Sequence, residues 1–344
     1  MRILFPSRIV DRHVGGNTTY GRRLERGLNQ IGVSTGRIPC GRHPIITALI
    51  ETQAGLQRPN DGKVIHYLAD TGPLVPTRVP SVVTVHGIAS LHTQGIRTFR
   101  QEKVWRTRVS AAIRNTDAIV TVSNSSAHDI CEVFGVSRER IDVIPHGVTL
   151  SESREEVGLV TDSEDPRIRN GYVLYLGNIE PRKNLIELVR AFSDPQVVSL
   201  GLPLVIAGKP AWNANAIMFE IRRAKNVIYL GFVDDAKRTT LLKNASLFVF
   251  PSLYEGFGFP VLEALSVGTP TLTSRRGSLA EVAGPARALE DLDADAIASG
   301  IIATLYDKDY RESVRTDGPK WAMKFRWEDS ASRHVEVYRR ILGS

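Results

Sequence analysis

Glu255 and Glu263 lie eight positions apart, with Gly256, Phe257, Gly258, Phe259 and Pro260 between them, just after the strand-like run Leu247–Phe250. A strand, a Gly-rich turn, a proline and then the helical run Val261–Val267 together make an anion site. Proline suits the first helical position because its missing N–H would be unbonded there anyway. The amides of Val261 and Leu262 are then expected to point out of the helix N-terminus with the positive end of its dipole. Glu263, in the first turn, can accept hydrogen bonds from hydroxyls, and Glu255 stands on the loop before it. Phosphate donors flanked by two hydroxyl acceptors are what an activated sugar needs. A lone glutamate would read as a solvated carboxylate; the whole run reads as chemistry.

A second cluster follows the apolar run Tyr172–Leu176. In Gly177-Asn178-Ile179-Glu180-Pro181-Arg182-Lys183-Asn184, Arg182 and Lys183 stand at the start of the next helix. Cations there are unfavourable without an anion to neutralise, so a phosphate is the expected partner. Val14-Gly15-Gly16-Asn17-Thr18 follows the first apolar run and opens a helix. Gly15 and Gly16 permit close backbone approach to a diphosphate, though a tight turn would ask for the same residues. His86 ends the strand of Val83-Thr84-Val85-His86-Gly87, where a lone histidine usually has a satisfied structural role. Ala207-Gly208-Lys209-Pro210 and Gly231-Phe232-Val233 also end strands. Ser123-Asn124-Ser125-Ser126 reads as a helix cap, and His146-Gly147 as a turn with a further candidate histidine. Asp291-Leu292-Asp293-Ala294-Asp295 precedes an Ala-rich helix, where acidic caps belong, and is not read as a metal site.

These segments need a scaffold that sets each of them after a strand. Apolar runs at Arg2–Phe5, Lys63–Tyr67, Ser81–Val85, Ala118–Val122 and Asp142–Ile144 alternate with helical patterns at Thr18–Gln30, Arg97–Arg114 and Ser126–Phe134. The second half repeats the scheme. Its strands are Tyr172–Leu176, Leu204–Ala207, Val227–Tyr229, Leu247–Phe250 and Thr271–Thr273, with helices at Leu185–Phe192, Ala236–Asn244 and Val261–Val267. Such alternation predicts an α/β chain of two doubly wound lobes, with ligands beyond the carboxyl ends of the strands. The expected division is 1–150, an acidic polar linker over 151–170, a second lobe over 171–326, and an amphipathic last segment over 327–344.

At 344 residues, 42% hydrophobic and 24% charged, the chain has the size and composition of a two-domain globular protein. No apolar run reaches the length of a membrane-spanning helix, and Met1–Pro6 is too short for a signal peptide. Cys40 and Cys131 offer neither a disulfide framework nor a metal cluster, so a cytoplasmic location is the default expectation. The net charge of +7 is uneven: residues 1–150 hold 19 Lys and Arg against 11 Asp and Glu, the remainder 25 against 26. The basic residues lack interleaved aromatics, which argues against nucleic acid. An anionic membrane or a pyrophosphate-linked acceptor suits the charge better, and a solvated helix face suits it equally.

The run Glu-Gly-Phe-Gly-Phe-Pro-x-Leu-Glu-Ala-Leu-x-x-Gly-x-Pro resembles the Glu-x7-Glu signature of the retaining glycosyltransferases with the GT-B fold, family 4, and the resemblance extends over nearly the whole chain. The variant Glu180-Pro181-Arg182-Lys183-Asn184 is similar to the branch rich in mannosyl- and rhamnosyltransferases. The resemblance implies two Rossmann-like lobes facing a central cleft, the acceptor on the first, the nucleotide sugar on the second, and the last helix crossing back to the first. It implies donor contacts from Gly15, Gly16, Arg182, Lys183, Gly208, Phe232, Glu255, the backbone of Gly256, Phe257, Gly258 and Phe259, then Val261, Leu262 and Glu263. Glu263 would hold the ribose, and Glu255 and His86 the transferred sugar. Two departures stand out: Asn178 replaces a common arginine, whose task Arg182 can assume, and Gly87 replaces a common aspartate. GDP-mannose is the first expectation for the donor, with dTDP-rhamnose, GDP-fucose and UDP-sugars behind it. The implied acceptor is a cell-envelope polysaccharide or a lipid-linked glycan, reached by peripheral contact with the membrane, and neither metal nor cofactor is needed. A nucleotide-sugar 2-epimerase of the same fold would form product without an acceptor. A non-catalytic binding protein would not need Glu255, Glu263, Arg182 and Lys183 together.

Overall fold

Residues 1–11, 15–59, 62–93, 95–148 and 165–343 are described in a computed structural model. The elements run β1 (Arg2–Pro6), α1 (Ser7–Val10), α2 (Gly16–Gln30), β2 (Ser34–Ile38), α3 (Pro44–Gly55), β3 (Lys63–Tyr67), β4 (Ser81–Thr84), α4 (Ala89–His92), α5 (Phe99–Asn115), β5 (Ala118–Thr121), α6 (Asn124–Phe134) and β6 (Ile141–Val143). They continue with β7 (Val173–Leu176), α7 (Leu185–Ala191), α8 (Pro195–Ser199), β8 (Leu204–Ala207), α9 (Asn215–Arg223), β9 (Val227–Gly231), α10 (Asp235–Asn244) and β10 (Leu247–Phe250). Next come α11 (Phe259–Ser266), β11 (Thr271–Thr273), α12 (Leu279–Val282), β12 (Arg287–Ala288), α13 (Ala294–Tyr306), α14 (Lys308–Ala322) and α15 (Trp327–Leu342). Two units result: residues 1–147 with 325–344, and residues 148–324.

Each unit is a six-stranded parallel sheet. The first has the order β2-β1-β3-β4-β5-β6 and the second β12-β11-β10-β7-β8-β9. The strands read as continuous apolar runs because helices cover both faces of a parallel sheet; every residue of β4, β5, β7, β8, β10 and β11 is buried. In an open sheet of this kind the winding direction reverses at one place, and the crevice there takes the ligand. In unit 1 the reversal falls between β1 and β3, in unit 2 between β7 and β10.

Unit 1 is completed by the end of the chain. α15 packs on α2, and Gly147 explains how it can start so close: a Cβ there would lie 2.3 Å from the Trp327 nitrogen. Beneath α15 the histidines and tyrosines form one buried polar network. His66 Nδ1 meets Tyr338 Oη at 2.7 Å and His66 Nε2 meets Thr84 Oγ1 at 2.7 Å. Tyr20 Oη meets Thr84 Oγ1 at 3.0 Å and His334 Nε2 at 2.9 Å. Burial holds His334 down at about 4. Burial, with the charges of neighbouring histidines, holds His66 and His146 well below the usual range. All are therefore neutral hydrogen-bonding groups at neutral pH.

Differences from the sequence expectations are local. β2 is an edge strand of polar residues, partly exposed, and carries no alternation that marks it. The expected linker over 151–170 lies outside the described residues up to Glu164; Pro166–Ile168 then forms a single 3-10 turn capped by the Asp165 side chain. Asp293 caps α13 by accepting from the Ala296 amide, and Ser123 caps α6 by accepting from Ser126, the structural roles assigned to both.

Candidate active site

The strongest constellation sits at the reversal point of unit 2, where the loops after β7 and β10 meet. Glu255 is buried, and its two oxygens are gripped separately. Lys183 Nζ approaches Oε1 at 2.5 Å and Arg182 Nη1 approaches Oε2 at 2.8 Å. Arg182 also donates to the Tyr254 carbonyl at 2.6 Å and to Glu180 Oε1 from Nε at 3.0 Å and Nη2 at 2.5 Å. The Lys183 ammonium lies 4.7 Å from the Phe250 ring centroid. Burial alone would raise the Glu255 carboxyl; the Arg182 guanidinium and the Lys183 ammonium overcome that and hold it at about 2. Two carboxylates and two cations thus form a neutral, enclosed quartet in this unit.

Backbone geometry fixes the quartet. Leu253 N–H donates to Arg182 O at 2.9 Å, joining the two loops directly. Ser278 ties down the glutamate loop: its hydroxyl donates to Glu255 O at 2.9 Å and to Phe257 O at 2.7 Å, and its amide to Glu255 O at 3.0 Å. Gly208 lets the β8 loop approach the β7 loop, since a Cβ there would fall 1.8 Å from Gly177 O. Asn184, with φ 57°, turns the chain into α7 and donates from its amide to Leu292 O at 2.7 Å.

Several sequence expectations need correction. α11 begins at Phe259, two residues before the expected Val261, so Pro260 is the second helical residue. The Val261 and Leu262 amides consequently donate to Gly258 O, at 3.1 and 3.4 Å, and do not point out of the helix as phosphate donors; both side chains are buried. Arg182 and Lys183 form a 3-10 turn with Pro181 ahead of α7, and their charges turn to Glu255. Glu263 lies in the second turn of α11, where Oε1 accepts from Arg238 Nη1 of α10 at 3.0 Å. The motif's two glutamates therefore have different cations, and only Glu255 belongs to the quartet. Phe232 is exposed and lies under Lys209, whose ammonium is 4.1 Å from the ring centroid. Phe257 is buried and meets Phe259 edge-on at 5.2 Å.

Unit 1 has its own assembly at the ends of its strands. Gly15 has φ 64° and caps α2, accepting from the Thr18 amide at 3.1 Å; Val14 of the glycine loop lies outside the described residues. Among the described residues, nothing lies within 4 Å of a Cβ at Gly16, so none of them requires glycine there. His86 follows β4, with Nε2 2.7 Å from Leu68 O and its backbone N–H donating to Asp70 Oδ1 at 3.0 Å. Gly87 has no carboxylate to offer; the one beside His86 comes from Asp70. Burial draws the imidazole down, the Asp70 charge and the Leu68 carbonyl oppose it, and the net shift is downward. His146 is buried, stacked on Trp327 at 5.8 Å and set against Tyr20 at 4.6 Å.

Glu180, Ser278, Arg238 and Asp70 carry no role in the sequence expectations. Ser278 lies 23 positions from Glu255 and Asp70 lies 16 from His86, so neither leaves a local signature. Glu180 was visible two residues before Arg182, where opposite charges so close in sequence pass for surface pairing.

Two Rossmann-like units, one carrying a buried cationic pair at its reversal point, define an α/β transferase of the GT-B class. The profile for Glycosyl transferases group 1 matches residues 162–321 and that for Glycosyltransferase Family 4 matches residues 60–152. The chain is 30% identical over 274 residues to the O-antigen chain mannosyltransferase B of Escherichia coli, covering 75% of this chain and 70% of that protein. It is 29% identical over 246 residues to the serotype-specific mannosyltransferase WbdA of Escherichia coli, covering 68% of this chain but only 30% of WbdA. In fold it is similar to sucrose-phosphate synthase from Thermosynechococcus elongatus, with a TM-score of 0.78, 17% identity and 99% of each chain covered. The chain belongs to glycosyltransferase family 4.

Proposed function

We propose that this glycosyltransferase moves mannose from GDP-mannose to a glycan or lipid-linked acceptor with retention at the anomeric carbon. The observation that carries the reading is the buried grip of Arg182 and Lys183 on Glu255 at the reversal point of unit 2. Mannose as the sugar is supported by the two mannosyltransferase relatives; guanine as the base is an extension from the sugar. A second reading, another hexose from a UDP- or dTDP-linked donor, leaves the roles of these residues unchanged.

Arg182 and Lys183 would let go of Glu255 when the diphosphate enters and take up its charge. As the bond from C1 to the leaving oxygen breaks, negative charge grows on the β-phosphate, where two fixed cations stabilise it. They supply the countercharge a metal could supply, so the reaction is proposed to need none. Glu255, freed from the cations, would accept hydrogen bonds from sugar hydroxyls. The backbone of Gly256–Phe259 would orient the sugar and Glu263 would bind the ribose. The acceptor hydroxyl would attack C1 from the face the phosphate leaves, passing its proton to a departing phosphate oxygen. Glu255 is not cast as a covalent nucleophile. Phe232 and Gly208 would border the base. Within unit 1, Gly15 and Gly16 are proposed to offer backbone to a phosphate, a use consistent with the space at Gly16 among the described residues, and His86 to meet a sugar hydroxyl.

Acceptor binding is assigned to unit 1. Ile45, Ile46 and Leu49 are exposed on α3, as are Phe99 and Val104 on α5 beside the exposed Arg100 and Lys103. Apolar side chains next to cations suit peripheral contact with an anionic membrane, on its cytoplasmic face. No helix among the described residues is long and apolar enough to cross a membrane.

Calorimetric titration with GDP, UDP and dTDP, first without metal and then with magnesium, tests the donor site. GDP should bind selectively and indifferently to magnesium. Preference for another base replaces the donor assignment, and binding of none of the three removes the site assignment.

A further inference from the structure

Asp70 follows β3 and His86 follows β4, neighbouring parallel strands beside the reversal point of unit 1. Asp70 has φ 49°, in the left-handed region that side-chain-bearing residues seldom occupy. Such a backbone persists only where its surroundings impose it, and it concentrates at functional sites. Here the constraints are visible. The Asp70 amide donates to Thr84 O at 2.8 Å. Arg8 Nη2 donates to the Thr71 hydroxyl at 3.0 Å and carbonyl at 3.3 Å, while Arg8 Nε is anchored on buried Glu51 at 2.6 Å. What this bracing delivers is the Asp70 carboxylate, placed so that Oδ1 accepts the His86 N–H at 3.0 Å.

The imidazole is fixed as tightly as the backbone. Nε2 stands 2.7 Å from Leu68 O. A carbonyl only accepts, so Nε2 carries the proton and Nδ1 keeps its lone pair. Tyr20 braces the ring edge-on at 5.0 Å and His146 flanks it at 5.5 Å. We infer that Asp70 is a positioning residue for sugar transfer: it sets the His86 backbone while Leu68 sets the ring, so that Nδ1 stands ready to accept from a substrate hydroxyl. The inference rests on the reading of His86 as a residue of the transfer reaction.

The test compares Asp70→Gly with Asp70→Asn. Glycine removes the acceptor but is at ease with positive φ, so folding should not suffer. Asparagine keeps an acceptor oxygen and also tolerates that backbone. Relief of the positive φ offsets the lost acceptor, so Asp70→Gly should stay folded with a melting temperature near that of the wild type and bind GDP as the wild type does. Its mannose transfer should fall by about ten- to a hundred-fold, the scale on which misplacement of a reacting group is felt, and Asp70→Asn should recover most of the loss. Without the Asp70 acceptor the His86 backbone should shift and carry Nε2 out of reach of Leu68 O, so nitrogen-15 spectra of the imidazole should show a single tautomer, protonated at Nε2, in the wild type and Asp70→Asn, and a tautomeric average in Asp70→Gly. Wild-type transfer by Asp70→Gly overturns the inference. So does lost transfer with the single tautomer intact, because Nε2 is then still held on Leu68 O and His86 has not moved. If the wild type itself transfers no sugar, the proposed function fails, and the spectra alone decide: loss of the single tautomer upholds the placement, and its persistence overturns it.

Discussion

Replacing Glu255 by Gln should weaken the fold and yet tighten the grip on bare nucleotide. The carboxylate stands near 2 against an ordinary 4.5, which at 1.36 kcal/mol per pH unit is about 3 kcal/mol of net attraction to its two cations. The substitution would leave Lys183 and Arg182 buried beside a neutral amide, and breaking a buried pair from one side costs about 3–5 kcal/mol. A diphosphate restores what the cations have lost. In the wild type it must first displace the carboxylate; in the variant it displaces only a neutral amide, with Arg182 still held by Glu180. The gain in GDP affinity is bounded by that same attraction of about 3 kcal/mol, on the order of a hundred-fold, and after imperfect geometry a gain of about ten-fold is expected. Transfer should meanwhile fall by about a hundred-fold or more, since the sugar loses an oriented acceptor. Calorimetric titration of both proteins with GDP, alongside thermal melting, measures both effects. If Glu255→Gln binds GDP more weakly than the wild type, or no better, the idea that the glutamate holds the place of the phosphate is wrong.

Lys183→Ala should lower transfer by about a hundred-fold, and Glu263→Ala should weaken GDP binding by about ten-fold; steady-state kinetics and calorimetry read the two, and unchanged values in both remove the site assignment. Unit 1 should lose stability in mild acid. His334 titrates near 4 when folded, against an ordinary 6.5, so between those values the unfolded chain binds the extra proton. Stability is full above about 6.5 and falls as pH drops through about 4, by about 3 kcal/mol from this residue. Urea unfolding across that window should show a steep slope that flattens in His334→Gln. Glu255 works in a lower window: its contribution is full above about 4.5 and disappears as pH falls through about 2. Gly147→Ala would push a methyl carbon to 2.3 Å from the Trp327 nitrogen. Hydrogen exchange should therefore speed up across α15, and exchange at the wild-type rate would show that the start of this helix can shift without loss.

Strands buried on both faces announced themselves in the sequence as apolar runs, which is why β8, β10 and β11 fall where expected to the residue. The polar edge strand β2 carried no such mark. At the candidate site the chemistry-bearing residue types were legible and their partners were not. Arg182, Lys183 and Glu255 all stand in the expected site, yet the 72 positions separating Lys183 from Glu255 conceal their ion pair. The same distance problem hid Ser278. The misplaced amides of Val261 and Leu262 have a different cause. Gly258, with φ 106°, lets the helix start before its proline, and a sequence rule that sets proline at the first position cannot register that shift.

The packing of α15 on α2 also orders events during synthesis. Residues 148–324 must all leave the ribosome before Trp327, His334 and Tyr338 exist to meet Gly147, Tyr20 and His66. At about 5–20 residues per second that interval is about 10–35 s. Through it, the polar side chains that α15 will cover stay open to water, and to any chaperone that binds such surfaces. Residues 1–147 are made before residues 148–324 and finished only after them, and a chain released before Trp327 leaves them with a hydrogen-bond network that lacks its partners from α15.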